Sequence, residues 1–242
     1  MISLYREEGA DPVWKTDNDM TTSTDIFGEL HAAILRGEYA PRQRLVEADL
    51  VERYGASRFV IRDALTKLAG QGLVEIQANR GARVREVSLE EALEITEIRR
   101  AVEALVASRA ALNVTEAQSI ELKELGRNMS EAVQAGELVR YSELNGSLHS
   151  ALRMIARHES ATRIIEQLNG QLVRHQFTLS LVPGRSAVSL RQHLEIIDAV
   201  VARDPNAAQL AMQAHISSVI EEIQKFDSGT IRLPGMGNGG AR

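Results

Sequence analysis

Apolar residues recur at intervals of three and four along most of this 242-residue chain. That spacing lays one face of an α-helix against a core. The first such stripe is Ile26, Leu30, Ala33 and Ile34, and Gly37 and Pro41 end its helix. A second helix runs from about Val46 to Tyr54 through Leu50 and Val51 and stops at Gly55. A third follows Ser57, a good N-cap, and carries Ile61, Ala64, Leu65 and Leu68 as far as Gly70 and Gly72. The period then changes. "LVEIQ" and "ARVRE" are short β-prone runs joined by "ANRG", which predicts a hairpin. Helix, helix, turn, helix, hairpin is the order of a winged helix-turn-helix.

The helical period returns at Ser88. "SLEE" at 88–91 and "TEAQ" at 115–118 both have the form of a capping box. The first opens a long helix; later ones are predicted at roughly 115–134, 138–157, 160–181, 187–203 and 206–226. Asp204-Pro205 supplies an N-cap followed by proline at the first helical position. The predicted fold is mainly α: a winged helix-turn-helix over 21–86, then an antiparallel bundle of about six helices over 87–227. Residues 1–20, polar and acidic without a period, are expected to be a disordered tail, and the Gly-rich 228–242 a flexible one.

Composition narrows the class. Apolar residues make up 44% and charged residues 25%, the balance of a globular domain with a sizeable core. With no cysteine, disulfides and thiolate metal sites are excluded, which fits a cytoplasmic location. No apolar run is long enough to cross a membrane. The net charge of −5 argues against nucleic acid at first. Basic residues nevertheless outnumber acidic ones between 21 and 85, and screening lets a local basic segment act on phosphate.

On the third helix, Arg62, Phe59 and Thr66 point away from the apolar stripe, and Arg58 flanks it at the N-terminus. A helix N-terminus offers free N–H groups and partial positive charge. Two arginines there are either an ordinary solvated face or a reader of phosphates and base edges. Arg80, Arg83 and Arg85 on the adjacent hairpin favour the second, since an arginine-tipped wing reaches into a minor groove. Histidines 149, 193 and 215 lie on three predicted bundle helices, with Asn145 one turn before His149. Facing inward with one oxygen, they would hold zinc or nickel; by spacing alone, separate core or surface histidines remain the alternative.

The segment from Ile26 to Ser88 resembles the DNA-binding domain of the GntR family of bacterial transcription regulators. The agreement runs in register through Arg44, Leu45, Leu50, Glu52, Gly55, Ser57, Arg58 and Arg62, then Ala64, Leu65, Leu68, Gly72, Leu73, Val74, Glu75, Arg80 and Gly81. It departs at Phe59-Val60, where the family usually has Thr-Pro, so the operator sequence is expected to differ. The resemblance implies that Arg44, Ser57, Arg58, Phe59 and Arg62 contact double-stranded DNA in the major groove or on its phosphates. It implies that Arg80 and Gly81 enter the minor groove. The bundle, through "EITEIRRAVEALVASRAAL", "ELNGSLHSAL" and "RQHLEIIDAVVARDPNAAQLAMQAHI", resembles the FCD effector domain of the FadR-type branch. That resemblance implies a divalent metal on Asn145, His149, His193 and His215, with Asn145 where the family has Asp. It also implies a pocket arginine at Arg99 that grips a small carboxylate effector. An exposed arginine paired with Glu97 or Glu103 is the alternative for Arg99. His158 and His175 are expected to be structural or surface residues.

The reading that follows is a ligand-responsive regulator, a repressor rather than an enzyme, binding a palindromic operator as a homodimer. A metal-dependent enzyme fused to a DNA-binding module is the competing reading, weakened by the absence of HExxH, P-loop or GxGxxG signatures and of a carboxylate placed beside the histidines as an obvious general base. An architectural DNA protein without an effector is a third.

Overall fold

The computed structural model of the protein describes residues 23–77, 81–180 and 182–227. The segments 1–20 and 228–242 and the wing-tip Arg80, all singled out above, lie outside the described residues. The first unit comprises α1 (Ser23–Leu35), β1 (Arg44–Leu45), α2 (Glu47–Tyr54), α3 (Arg58–Gly70), β2 (Val74–Gln77) and β3 (Gly81–Val84). The three strands form an antiparallel sheet in the order β1-β3-β2, with Arg44 opposite Arg83 and Val74 opposite Val84. β1 is two residues long and had no signature of its own in the sequence. Ile26, Leu30, Leu45, Ile61 and Leu68 are fully buried and form one core between the helices and the sheet. Each such side chain contributes on the order of 1.5–3 kcal/mol.

α2 ends at Gly55, whose φ of +64 returns an N–H to the Val51 carbonyl. Glycine fits there because that left-handed conformation strains a residue with a Cβ. The chain re-enters a helix at once, because the Ser57 side chain accepts a hydrogen bond from the Val60 N–H. This tight helix-turn-helix brings α2 against α3 and leaves the polar side of α3 outward.

The bundle comprises α4 (Leu89–Asn113), α5 (Glu116–Gln134), α6 (Leu138–Ala156), α7 (Glu159–Ser180), α8 (Arg185–Val201) and α9 (Pro205–Asp227). Thr115 and Gln118 form the reciprocal capping box, and Asp204 accepts from the N–H groups of Asn206 and Ala207. At Ser88 only half of the expected box forms. Ser88 Oγ accepts from the Glu91 N–H, while the Glu91 carboxylate turns to Arg85. A full charge partner outcompetes a neutral backbone donor.

That choice helps dock the two units. Arg85 also donates to Gln171 of α7 at 3.2 Å, and the side chains of Gln167 and Gln171 approach the carbonyls of Gly70 and Gln71, where α3 ends. Beneath them Ala92, Ile95 and Leu172 form a small cluster of their own. α7 is therefore in contact with both the end of α3 and the bundle.

Candidate functional site

Two regions carry chemistry. The first is the outer face of α3 with the sheet. Ser57, Arg58 and Phe59 are exposed, Phe59 by 79%, which is unusual for an aromatic side chain without a partner surface. Arg62 is exposed, and its Nε–H donates to both Glu47 oxygens at 2.9 and 2.8 Å. Exposed pairs of this kind contribute about 0–1 kcal/mol, so a phosphate or base edge can displace Glu47 at little cost. Arg44 and Arg83, both exposed, sit directly opposite each other on β1 and β3. Gly81 has φ +83, and a Cβ there would lie 2.7 Å from the Leu45 carbonyl oxygen, so the close approach of β3 to β1 requires glycine. Arg85, grouped with the wing by sequence, instead faces the bundle, with Glu91 and Gln171.

The second region is a cavity of about 430 Å³ inside the bundle. α6 lines it with Tyr141, Asn145, His149 and Arg153, spaced by four and therefore on one stripe. α8 adds Arg185, Ser189 and His193 at the same spacing; α9 adds His215 and α4 adds Arg99. One ligating nitrogen from each of His149, His193 and His215 lies within 4.8 Å of the others. His193 Nε2 and His215 Nε2 are 3.2 Å apart. Two imidazole ligands of a tetrahedral ion, each at about 2.0–2.1 Å, stand about 3.3 Å apart.

The other ring nitrogens are all engaged. His149 Nδ1 is 2.9 Å from Glu103 Oε2, His193 Nδ1 is 3.0 Å from the Tyr141 hydroxyl, and His215 Nδ1 is 3.1 Å from Gln192 Oε1. With Nδ1 protonated in each ring, all three Nε2 lone pairs are free for a common ion, and the partners hold ring orientation. Asn145 Oδ1 is buried with no hydrogen-bond partner. The residues present thus fit a divalent ion: three imidazoles, a partner orienting each, and an orphaned oxygen that wants a positive neighbour. The other buried side-chain atom without a partner among the described residues is Arg185 Nη2 in the same cavity. Each such atom costs about 1–3 kcal/mol while unpaired.

Arg99 is buried rather than exposed. Its Nε and Nη2 both donate to Glu103 Oε1, at 2.9 and 2.6 Å. Burial alone would raise the Glu103 carboxyl, but the charges of Arg99 and His149 and their hydrogen bonds hold it well below the usual carboxylate range. Glu103 is thus a carboxylate beside the histidines, but bound on both oxygens it is no general base. Burial keeps His193 and His215 neutral well below their ordinary value, and the neighbouring imidazoles and arginines push the same way. Below pH 6.5 the unfolded chain takes up protons at these two positions that the folded chain refuses, so folding stability falls with pH. Metal-free protein should therefore be less stable at pH 5.5 than at pH 7, read as a lower urea midpoint.

The structure brings Arg99, Asn145, His149, His193 and His215 together, and puts Arg44, Ser57, Arg58, Phe59, Arg62 and Gly81 on the winged unit. His158 Nδ1 accepts from the Ala161 N–H at the start of α7, a structural use; the His175 side chain lies outside the described residues. Sequence reasoning missed Tyr141, Arg185, Ser189 and Gln192. The four-residue stripes through Asn145 and His193 were the signal that points to the first three.

A winged helix-turn-helix with an outward arginine face, joined to a helical bundle around a polar cavity, defines a DNA-binding regulator that responds to a ligand. The comparisons agree. Residues 22–84 match the gntR family of bacterial regulatory proteins and residues 94–218 match the FCD domain. The HTH-type transcriptional repressor RspR of Escherichia coli is 31% identical over 201 residues, 83% of this chain and 88% of RspR. LutR, an HTH-type transcriptional regulator of Bacillus subtilis, is 27% identical across 80% of this chain and 97% of its own. The solved structure of E. coli McbR/YncC shares the fold, with TM-score 0.71 and 20% identity over 85% of this chain and 98% of that one. The chain belongs to the gntR family of bacterial transcription regulators and carries an FCD domain. Its relatives are regulators and not enzymes. No helix among the described residues is long and apolar enough to cross a membrane.

Proposed function

We propose that the protein is a cytoplasmic homodimeric repressor that senses a small carboxylate through a divalent metal, zinc or nickel, in the bundle cavity. The single observation that carries the sensing half is the histidine triad, with one ligating nitrogen of each ring within 4.8 Å of the others and each Nδ1 held by a partner. His149, His193, His215 and Asn145 would hold the ion. The ion would supply a Lewis-acidic centre for a carboxylate oxygen. The naming of RspR as a repressor supports the sign of regulation.

In this reading residues 21–86 bind DNA and 87–227 bind the effector. Two copies of α3 meet half-sites about one helical turn apart or slightly less. Arg58 and Arg62 read base edges or phosphates, Ser57 and Arg44 contact the backbone, Phe59 packs in the groove, and Arg80 and Gly81 approach the minor groove. α7 offers a route for the signal, because Asn169 lines the cavity while Gln167 and Gln171 touch the end of α3. The effector would shift the population between two placements of the winged units, to the extent that it binds them with different affinity.

The test is selection of a duplex from a random pool, followed by affinity measurement. Arg58→Ala should weaken the selected duplex by about 1–3 kcal/mol if it reads a base, with random DNA less affected. An equal, small effect on both would make Arg58 a solvated surface residue and sink the groove assignment.

A further inference from the structure

The cavity has a charge imbalance that the histidine site does not use. Arg99, Arg153 and Arg185 line it, and no aspartate or glutamate among the described lining residues does. Glu103 behind the wall offsets Arg99. Arg185 forms no ion pair among the described residues. Its Nη1 donates to Ser218 Oγ at 2.7 Å and to the Ser218 carbonyl at 3.3 Å, while Nη2 is buried with no acceptor. The Glu222 carboxylate, which acts on Arg185 from a distance, is bonded to Lys225.

Arg185 Nη1 donates to Ser218 Oγ, Ser218 Oγ donates to Gln192 Oε1 at 3.1 Å, and that same oxygen lies 3.1 Å from His215 Nδ1, so two side chains link the guanidinium to the histidine cluster. An acid-binding donor therefore stands beside the histidine cluster in the same cavity, within reach of one short diacid. A monocarboxylate seated on the histidines leaves Arg185 Nη2 buried and unpaired. Asn145 sharpens the argument: three imidazoles and an amide are all neutral, so a divalent ion there would have no anionic protein ligand. The negative charge has to arrive with the effector, and a second acid group would serve Arg185.

We infer that the effector is a dicarboxylate, with one carboxylate at the histidine and Asn145 end and the second on Arg185. This rests on the proposed reading of the cavity as the effector site. Arg185 is its specificity-determining residue, and the guanidinium suits a carboxylate because its paired N–H groups match two oxygens.

The test is calorimetric titration of full-length, zinc-loaded protein with malate and with lactate, which share a 2-hydroxy acid and differ in the second carboxylate. Malate should bind at least tenfold tighter. Arg185→Gln should weaken malate at least tenfold, the scale of a lost charge-assisted hydrogen bond, and leave lactate within about twofold. Arg185→Lys should recover part of the loss, and an unchanged zinc content shows that the variants fold. Malate binding that is indifferent to Arg185→Gln, or lactate binding as tight as malate, overturns the dicarboxylate assignment and leaves the histidine sensor standing. Failure of malate, malonate, succinate, 2-oxoglutarate and citrate alike to bind overturns it too. Malate binding that needs Arg185 but survives His193→Ala would instead refute the histidine reading and keep the Arg185 one.

Discussion

Glu103→Gln should destabilise the protein by about 3–5 kcal/mol, measured as a shift in the denaturant midpoint at neutral pH. The side chains are nearly equal in volume, so no cavity forms. What changes is charge. Arg99 and Glu103 have side chains only 8% and 4% exposed, and Glu103 also accepts from or pairs with His149. Neutralising it leaves a guanidinium buried without a counter-ion and deprives His149 of its orienting carboxylate. A double replacement, Arg99→Met with Glu103→Met, should be less destabilising than Glu103→Gln alone, because no uncompensated charge remains. A small effect of Glu103→Gln would mean that water reaches the pair and that the wall of the cavity is open at α4.

His193→Ala should lower metal affinity by more than about a hundredfold. Loss of an orienting partner alone typically costs 10–100-fold, and this change removes a ligand outright. Elemental analysis of protein purified without a polyhistidine tag or chelator should find about one zinc or nickel per chain in the wild type and none in the variant. His149→Ala should behave the same way. Metal retained in both variants would place the ion elsewhere, and no metal in the wild type would make Asn145, in place of an aspartate, the decisive departure from the family.

The architecture was legible because periodicity and caps are local. Ile61 to Leu68 mark a buried helix face on their own, and Thr115 and Gln118 cap each other within one turn. β1 was not legible, since two residues carry no period and Arg44–Leu45 become a strand only when β3 pairs with them. The histidines stood out because few residue types share their chemistry. Their supports did not: Glu103 comes from a helix 46 residues before His149, and Gln192 faces His215 only after α8 and α9 pack. Arg185 follows a glycine turn, where an arginine ordinarily faces water. Its burial, and the missing acceptor at Nη2, arise only from the packed bundle.

The central claim is that occupancy of the histidine cavity alters DNA affinity. Fluorescence polarisation of the selected duplex, titrated with zinc-loaded protein with and without a mixture of short mono- and dicarboxylates, tests it most directly. The account predicts about a tenfold change in Kd for the wild type, within the usual range of coupling between sites, and no more than about twofold for His193→Ala. A wild-type Kd that is the same with and without the acids would contradict it.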